Sequence, residues 1–246
     1  MNAVLSGTPC ITIRARQKKL YWARVFDQRR NLNEKARYSA WLLRVLLGGL
    51  LALPAIAEED TKPVMITAEL KSFSMTHNGK TVTVMRDQDR DNRIVELYQP
   101  TYRGKIQPIH PFAPHQVTTI GALEMIGFME QLESGDEGLL IIDSRTRDWA
   151  RRGTLAGSIN IAFTEFKDEE RALEIMEEWF DVLNTGLSLD FSNAKTLVLF
   201  CNGIWCGQSP VTIRTLLRMG YPAAKIHYFR DGMQNWQSLG LTVVSP

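Results

Sequence analysis

The chain has 246 residues, 44% of them hydrophobic, which suits one large or two small folded units with a substantial buried core. Its formal charge of +2 is unevenly spread: residues 1–57 hold ten Lys/Arg and two Asp/Glu, leaving 19 basic and 25 acidic residues in the remainder. An acidic folded part argues against a nucleic-acid surface.

The basic N-terminal stretch runs into LLRVLLGGLLALPAIAEED, where Val45 to Ala57 is thirteen residues without a charge. That is short of the roughly 20 apolar residues a membrane span needs, and it suits the apolar core of a secretory signal. Pro54 breaks a helix, and Ala55 with Ala57 gives the small-x-small pattern of a cleavage site before Glu58. Residues 1–57 therefore read as a basic leader and signal peptide cleaved after Ala57, with a periplasmic or otherwise exported location. The alternative is an uncleaved membrane anchor, since Trp41 to Leu43 lengthen the apolar run across Arg44. Cys10 lies in the leader, apart from the mature chemistry.

Residues 58–116 read as a small β-hairpin followed by an irregular arm. Two β-prone segments flank Asn78-Gly79, a pair suited to a type I′ turn. LYQPTYRGKIQPIHPFAPHQ then places four prolines in twenty residues, too broken for a helix or a central strand. His110 and His115 lie here with no Cys or carboxylate at ligand spacing, so no metal and no cofactor is expected.

From Val117 the pattern becomes regular. TTIGALEMIGFMEQLESGDEG predicts a helix capped by Thr, with Leu123, Ile126, Gly127 and Met129 on its apolar face. LLIID is a short apolar run that fits a buried parallel strand ending at Asp143, and a second short strand falls in GTLAGSINIAF. An amphipathic helix over TEFKDEERALEIMEEWFDVL, a strand TLVLF, a helix over SPVTIRTLLRMG, a strand KIHYFR and a last helix complete residues 117–246. Trp149, Trp179 and Trp236 read as core. Strands alternating with helices predict an α/β fold, a parallel sheet flanked by helices on both faces.

Ligands of such folds bind beyond the carboxyl ends of the strands, near the start of the next helix. Cys201 occupies that place. With Ser209 as N-cap and Pro210 at the first helical position, residues Asn202, Gly203, Ile204, Trp205, Cys206, Gly207 and Gln208 form a loop whose N–H groups can cradle an anion. A cysteine there is expected to have a lowered pKa and to react as the thiolate. Against this stands plain packing, because free cysteines are among the most buried residues.

The segment from about Val117 to Val244 resembles the rhodanese family of sulfurtransferases. IIDSRTRDWARRGTLAGSINIAF is similar to the family's strand and Asp-x-Arg segment, with Gly153, Gly157, Asn160 and Ile161 in register. TLVLFC is similar to the strand that delivers the family's cysteine, and YFRDGMQNWQSLGLTVV to its closing element through Gly232, Trp236, Gly240 and Val243. The resemblance implies that Cys201 accepts sulfur from a thiosulfate-like or persulfide donor, carries it as a persulfide, and passes it to a thiol, a cyanide-like acceptor or a protein. Asp143 and Arg145 would support that site as an ion pair or loop brace. The loop departs from the family pattern by about two extra residues, Gly207 stands where the fold's phosphatase relatives carry arginine, and Asp231 replaces one closing glycine.

Cys206 opens a rival class. WCGQS resembles half of a thioredoxin-type site, with Ser209 at the place of the second cysteine. Five positions separate Cys201 from Cys206 on one loop, so a disulfide is sterically reasonable. Sulfur transfer through Cys201, thiol–disulfide exchange through Cys201 and Cys206, and a non-catalytic sulfur-carrying or binding module all stand at this point.

Overall fold

The structure is a computed structural model that describes residues 62–246. The leader, its apolar run, the cleavage position before Glu58 and Cys10 lie outside the described residues. Strands β1 (Ser72–His77) and β2 (Lys80–Met85) pair antiparallel, with Phe73 opposite Val84 and His77 opposite Lys80. Asn78 and Gly79 between them have φ of 49° and 72°, the left-handed backbone that a two-residue type I′ turn demands. This hairpin contributes to the main core: Met75 and Val84 are fully buried, and the Met75 side chain occupies the space a Cβ on Gly157 would need.

The arm follows, with one 3-10 turn at Glu96–Tyr98 and buried anchors at Tyr98, Phe112 and Val117. Strand β3 (Thr118–Ile120) takes residues that the sequence assigned to the start of a helix. Parallel pairing with the last strand holds them extended, and helix α1 (Ala122–Glu133) starts at Gly121, whose N–H donates to the Glu124 carboxylate at 2.9 Å. Its buried face is Met125, Ile126 and Met129. At about 100° per residue these share one arc that Leu123 falls outside, so Leu123 is exposed rather than inward.

Strand β4 (Leu139–Asp143), the single turn α2 (Arg147–Ala150) and strand β5 (Ile159–Asn160) come next. Helix α3 (Glu169–Trp179) starts at Asp168, whose carboxylate accepts the Arg171 N–H at 2.9 Å. A small hairpin, β6 (Leu183–Asn184) with β7 (Leu189–Asp190), was not foreseen; its exposed residues leave no periodic apolar signal. Strand β8 (Thr196–Phe200), helix α4 (Gln208–Arg218), strand β9 (Ile226–Phe229) and helix α5 (Gly232–Ser238) close the unit. Among the described residues no helix is long and apolar enough to cross a membrane.

Five strands form one parallel sheet in the order β3-β9-β8-β4-β5. The period of two along β8 explains why it is apolar throughout. Val198 and Phe200 enter a cluster with Met125, Met129 and Trp236, while Leu197 and Leu199 enter a second with Ile175, Met176, Ile213 and Leu216. Each of these buried side chains contributes about 1.5–3 kcal/mol of transfer free energy. Trp236 is fully buried and Trp149 packs partly against the core, but Trp179 is 43% exposed. It ends its helix, and Phe180, one residue on, fills the interior instead.

The register aligns Asp143, Phe200 and Phe229 across the carboxyl edge of the sheet. The chain leaving β8 therefore emerges at the centre of that edge, at Cys201.

Candidate active site

Cys201 and Cys206 are both free thiols and both buried, 1% and 4% exposed. Helix α4 begins at Gln208 with Gly207 before it, two residues earlier than the Ser-Pro signal indicated. Pro210 is still accommodated, because N–H groups of the first turn have no intrahelical partner. Ser209 consequently lies inside the first turn, its N–H on the side of the Cys201 sulfur and its buried hydroxyl without a hydrogen-bond partner.

The electrostatics of the two thiols differ, and they correct the expectation of a lowered pKa at Cys201. Burial pushes the Cys201 thiol well up, the neighbouring Cys206 adds to this, and the Ser209 N–H opposes it. Cys206 is held down to about 7. The hydrogen bond from the Cys201 thiol lowers it most, burial works against this, and the N–H groups of Asn202 and Gln208 and the Asn202 amide assist. Of the loop's side chains, Asn202 turns its amide nitrogen to the Cys206 sulfur at 3.9 Å. The Cys201 thiol also lies 3.5 Å from the Cys206 carbonyl, and the Cys206 thiol 3.5 Å from the Gln208 side-chain oxygen.

The loop backbone is fixed from two sides. Helix α5 donates the Met233 N–H to the Cys201 carbonyl at 3.0 Å and the Gln234 N–H to the Asn202 carbonyl at 2.9 Å. From the arm, Gln107 N–H donates to the Ile204 carbonyl at 2.7 Å, and the Arg103 guanidinium sits over the Trp205 ring at 4.8 Å. A Cβ on Gly104 would come within 2.6 Å of the Trp205 carbonyl oxygen, so the two backbones touch. The Gln234 amide accepts from the Trp205 indole at 2.7 Å and donates to the Tyr98 carbonyl at 2.9 Å. Asp231 faces Arg230 at 3.5 Å, and Arg230 holds the Gln107 carbonyl at 2.7–2.8 Å. The residue that replaces a closing glycine thus belongs to the attachment of the arm.

Asp143 and Arg145 are fully buried beside the loop. Arg145 grips both carboxylate oxygens, Nε on Oδ1 at 2.8 Å and Nη2 on Oδ2 at 2.5 Å, and donates to the Gly153 carbonyl at 2.7 Å. Thr154 donates a further bond to Asp143 at 2.8 Å. Burial alone would favour a neutral guanidine, but the carboxylate outweighs it and keeps Arg145 charged. His110 and His115 are exposed on the arm, and among the described residues no group of three or more His, Cys, Asp or Glu could hold a metal ion.

Sequence reasoning missed Tyr98, Gln234 and Tyr228 as neighbours of the cysteines. Tyr228 is buried on β9, its phenol pushed up by burial and by the two sulfurs. Such contacts join residues as far apart as Tyr98 and Asn202, and no local spacing announces them.

Residues 128–239, which include four of the five sheet strands and both cysteines, match the family model described as Rhodanese-like domain. The chain carries a rhodanese-like domain. The fold is also similar to solved structures. A rhodanese-related protein from Thermoplasma volcanium is 20% identical, with 52% of this chain and 97% of that one covered at a TM-score of 0.34. A human single-domain sulfurtransferase is 19% identical, with 50% and 96% covered at a TM-score of 0.34. A protein from Rhodopseudomonas palustris, described as a possible tyrosine phosphatase, is 18% identical, with 59% and 100% covered at a TM-score of 0.36. No curated protein sequence matches the chain. The rhodanese-like match begins inside α1, so the hairpin and the arm lie outside it.

Proposed function

We propose that the protein is an exported sulfurtransferase that carries sulfur as a persulfide on Cys201. The observation that supports this most directly is the placement of Cys201 at the carboxyl end of the central strand with Cys206 on the same loop, the Cys201 thiol 3.5 Å from the Cys206 carbonyl and the Asn202 amide 3.9 Å from the Cys206 sulfur. Cys206 ionises first and serves as the base for its neighbour. As Cys201 attacks the outer sulfur of a thiosulfate-like donor, its proton passes to the Cys206 thiolate. The donor's S–S bond breaks, sulfite leaves, and Cys201 keeps the transferred sulfur as a persulfide. An acceptor thiolate or cyanide then attacks that outer sulfur and Cys201 leaves as the thiolate. Gly207 stands where a phosphatase would need a phosphate-clamping arginine, which speaks for sulfur rather than phosphoryl chemistry.

The test is intact mass with peptide mapping after reduction and exposure to thiosulfate. One added sulfur at Cys201, removable by cyanide, is expected; Cys201→Ser abolishes it and Cys206→Ser retains part of it. Sulfur found on Cys206, or no turnover with any donor, would sink this reading. Two free buried thiols on one loop also favour a second reading, disulfide exchange, for which loss of two hydrogens without added sulfur is the signature. Export rests on the leader sequence, and the mature chain isolated from its cell should begin at Glu58.

A further inference from the structure

Tyr98 belongs to the arm, outside the rhodanese-like match, yet it is 1% exposed and reaches the cysteine loop. Its hydroxyl lies 3.3 Å from Nη1 of Arg145 and 3.1 Å from Oδ1 of Asn202. The other end of the Asn202 side chain, Nδ2, lies 3.9 Å from the Cys206 sulfur.

The polarity of this series is dictated by chemistry. A guanidinium can only donate, so the Tyr98 oxygen accepts from Arg145 and its single hydrogen is free for Asn202. Donation to Asn202 selects the carbonyl end of the amide, which turns the NH2 group toward Cys206. Asp143 holds Arg145 in place through both carboxylate oxygens, so the series begins at a rigid buried ion pair and ends at a sulfur. We propose that Tyr98 is a positioning residue of the cysteine site, its hydroxyl orienting the Asn202 amide so that the amide donates to the Cys206 thiolate.

The charge on Arg145 polarises the hydroxyl into a better donor, while burial pushes the phenol up to about 12 and keeps it protonated across the working range. The groups facing Cys206 are Cys201 and Asn202 on its own loop, Tyr98 from the arm and Tyr228 from β9. Arg145 and Asp143 stand behind Tyr98. Burial keeps Cys201, Tyr98 and Tyr228 protonated near pH 7, so a displaced titration reports on orientation of the donor. This role rests on the sulfurtransferase reading for its purpose, but its geometry does not depend on sulfur transfer.

The experiment is site-resolved alkylation of the full-length protein against pH, with peptide mapping to follow Cys206, on wild type, Tyr98→Phe, Asn202→Ala and the double variant. Loss of the hydroxyl should move the Cys206 midpoint upward by about half to one pH unit, as expected when a thiolate loses one oriented donor. Asn202→Ala should do the same, and Tyr98→Phe should add nothing in the Asn202→Ala background. Replacement of Tyr98 by 3-fluorotyrosine, which keeps the hydroxyl and the ring, should leave the midpoint at or below wild type. A purely structural tyrosine would lower the melting temperature of Tyr98→Phe and leave the Cys206 titration in place, which would overturn the proposal, as would full additivity of the two substitutions. If Tyr98→Phe fails to fold, a raised midpoint with 3-fluorotyrosine overturns it equally. A wild-type protein that takes up no sulfur defeats the functional reading without touching this titration, so the two failures are separable.

Discussion

A Cβ on Gly232 would stand 2.3 Å from the carbonyl oxygen of Cys201 and 2.8 Å from the amide nitrogen of Gly203. Gly232 also has φ of 57°, a backbone that L side chains adopt at a cost. Gly232→Ala is therefore expected to lose at least about 1–2 kcal/mol from the left-handed conformation alone. It should also displace the cysteine loop, because the hydrogen bond from Met233 to the Cys201 carbonyl has no room to survive. Thermal unfolding and sulfur loading check both parts, and a variant that loads sulfur like wild type would show that this contact does not set the loop.

Alkylation should distinguish the two cysteines by pH. The thiolate is the reactive form, so the rate at Cys206 should climb about tenfold per unit below pH 7 and level off above it. Cys201, raised by burial, should keep gaining reactivity into the alkaline range. A Cys206 rate that rises without a break up to the ordinary thiol value of 9 would contradict the cradle.

The buried pair of Asp143 and Arg145 and the exposed pair of Arg171 and Glu174 should respond differently to removal of the acid. Asp143→Ala strands a charged guanidinium in the core and is expected to cost about 3–5 kcal/mol in denaturant unfolding. Glu174→Ala, although its bond is 2.7 Å long, should change stability by less than about 0.5 kcal/mol, because both partners are solvated. Equal effects would mean that Arg145 finds another counter-charge.

Trp236→Ala should destabilise by about 3–5 kcal/mol, since the ring is fully buried and its indole donates to the Thr242 carbonyl at 2.8 Å. Trp179→Ala should stay within about 1 kcal/mol. A comparison of the two by denaturant midpoint tests where the core ends.

The elements legible in the sequence are those whose signal is local. TLVLF is apolar on both faces because it lies at the middle of the sheet, and that placement exposes Cys201 at the carboxyl edge. Asn78-Gly79 carries its own turn chemistry. What escaped depends on partners distant in sequence. Thr118 to Ile120 become a strand only because His227 to Phe229 lie alongside, and Trp179 loses the interior to Phe180 by a difference of one residue. The acidity of Cys206 was hidden for the same reason. A strand-end cysteine before a helix reads as the activated thiol, whereas the direction of each N–H is settled by how the loop is tied to α5 and to the arm.

The attachment of the arm has a practical meaning for where this protein can be cut. Residues 128–239 are the segment a family comparison would excise, but removing what precedes them would empty the Met75 and Val84 positions and take away the Tyr98 partner of Arg145. It would also leave Ile204 and Gln234 without the backbone groups they bond. A recombinant fragment of residues 128–239 would therefore report on a cysteine loop missing one of its walls.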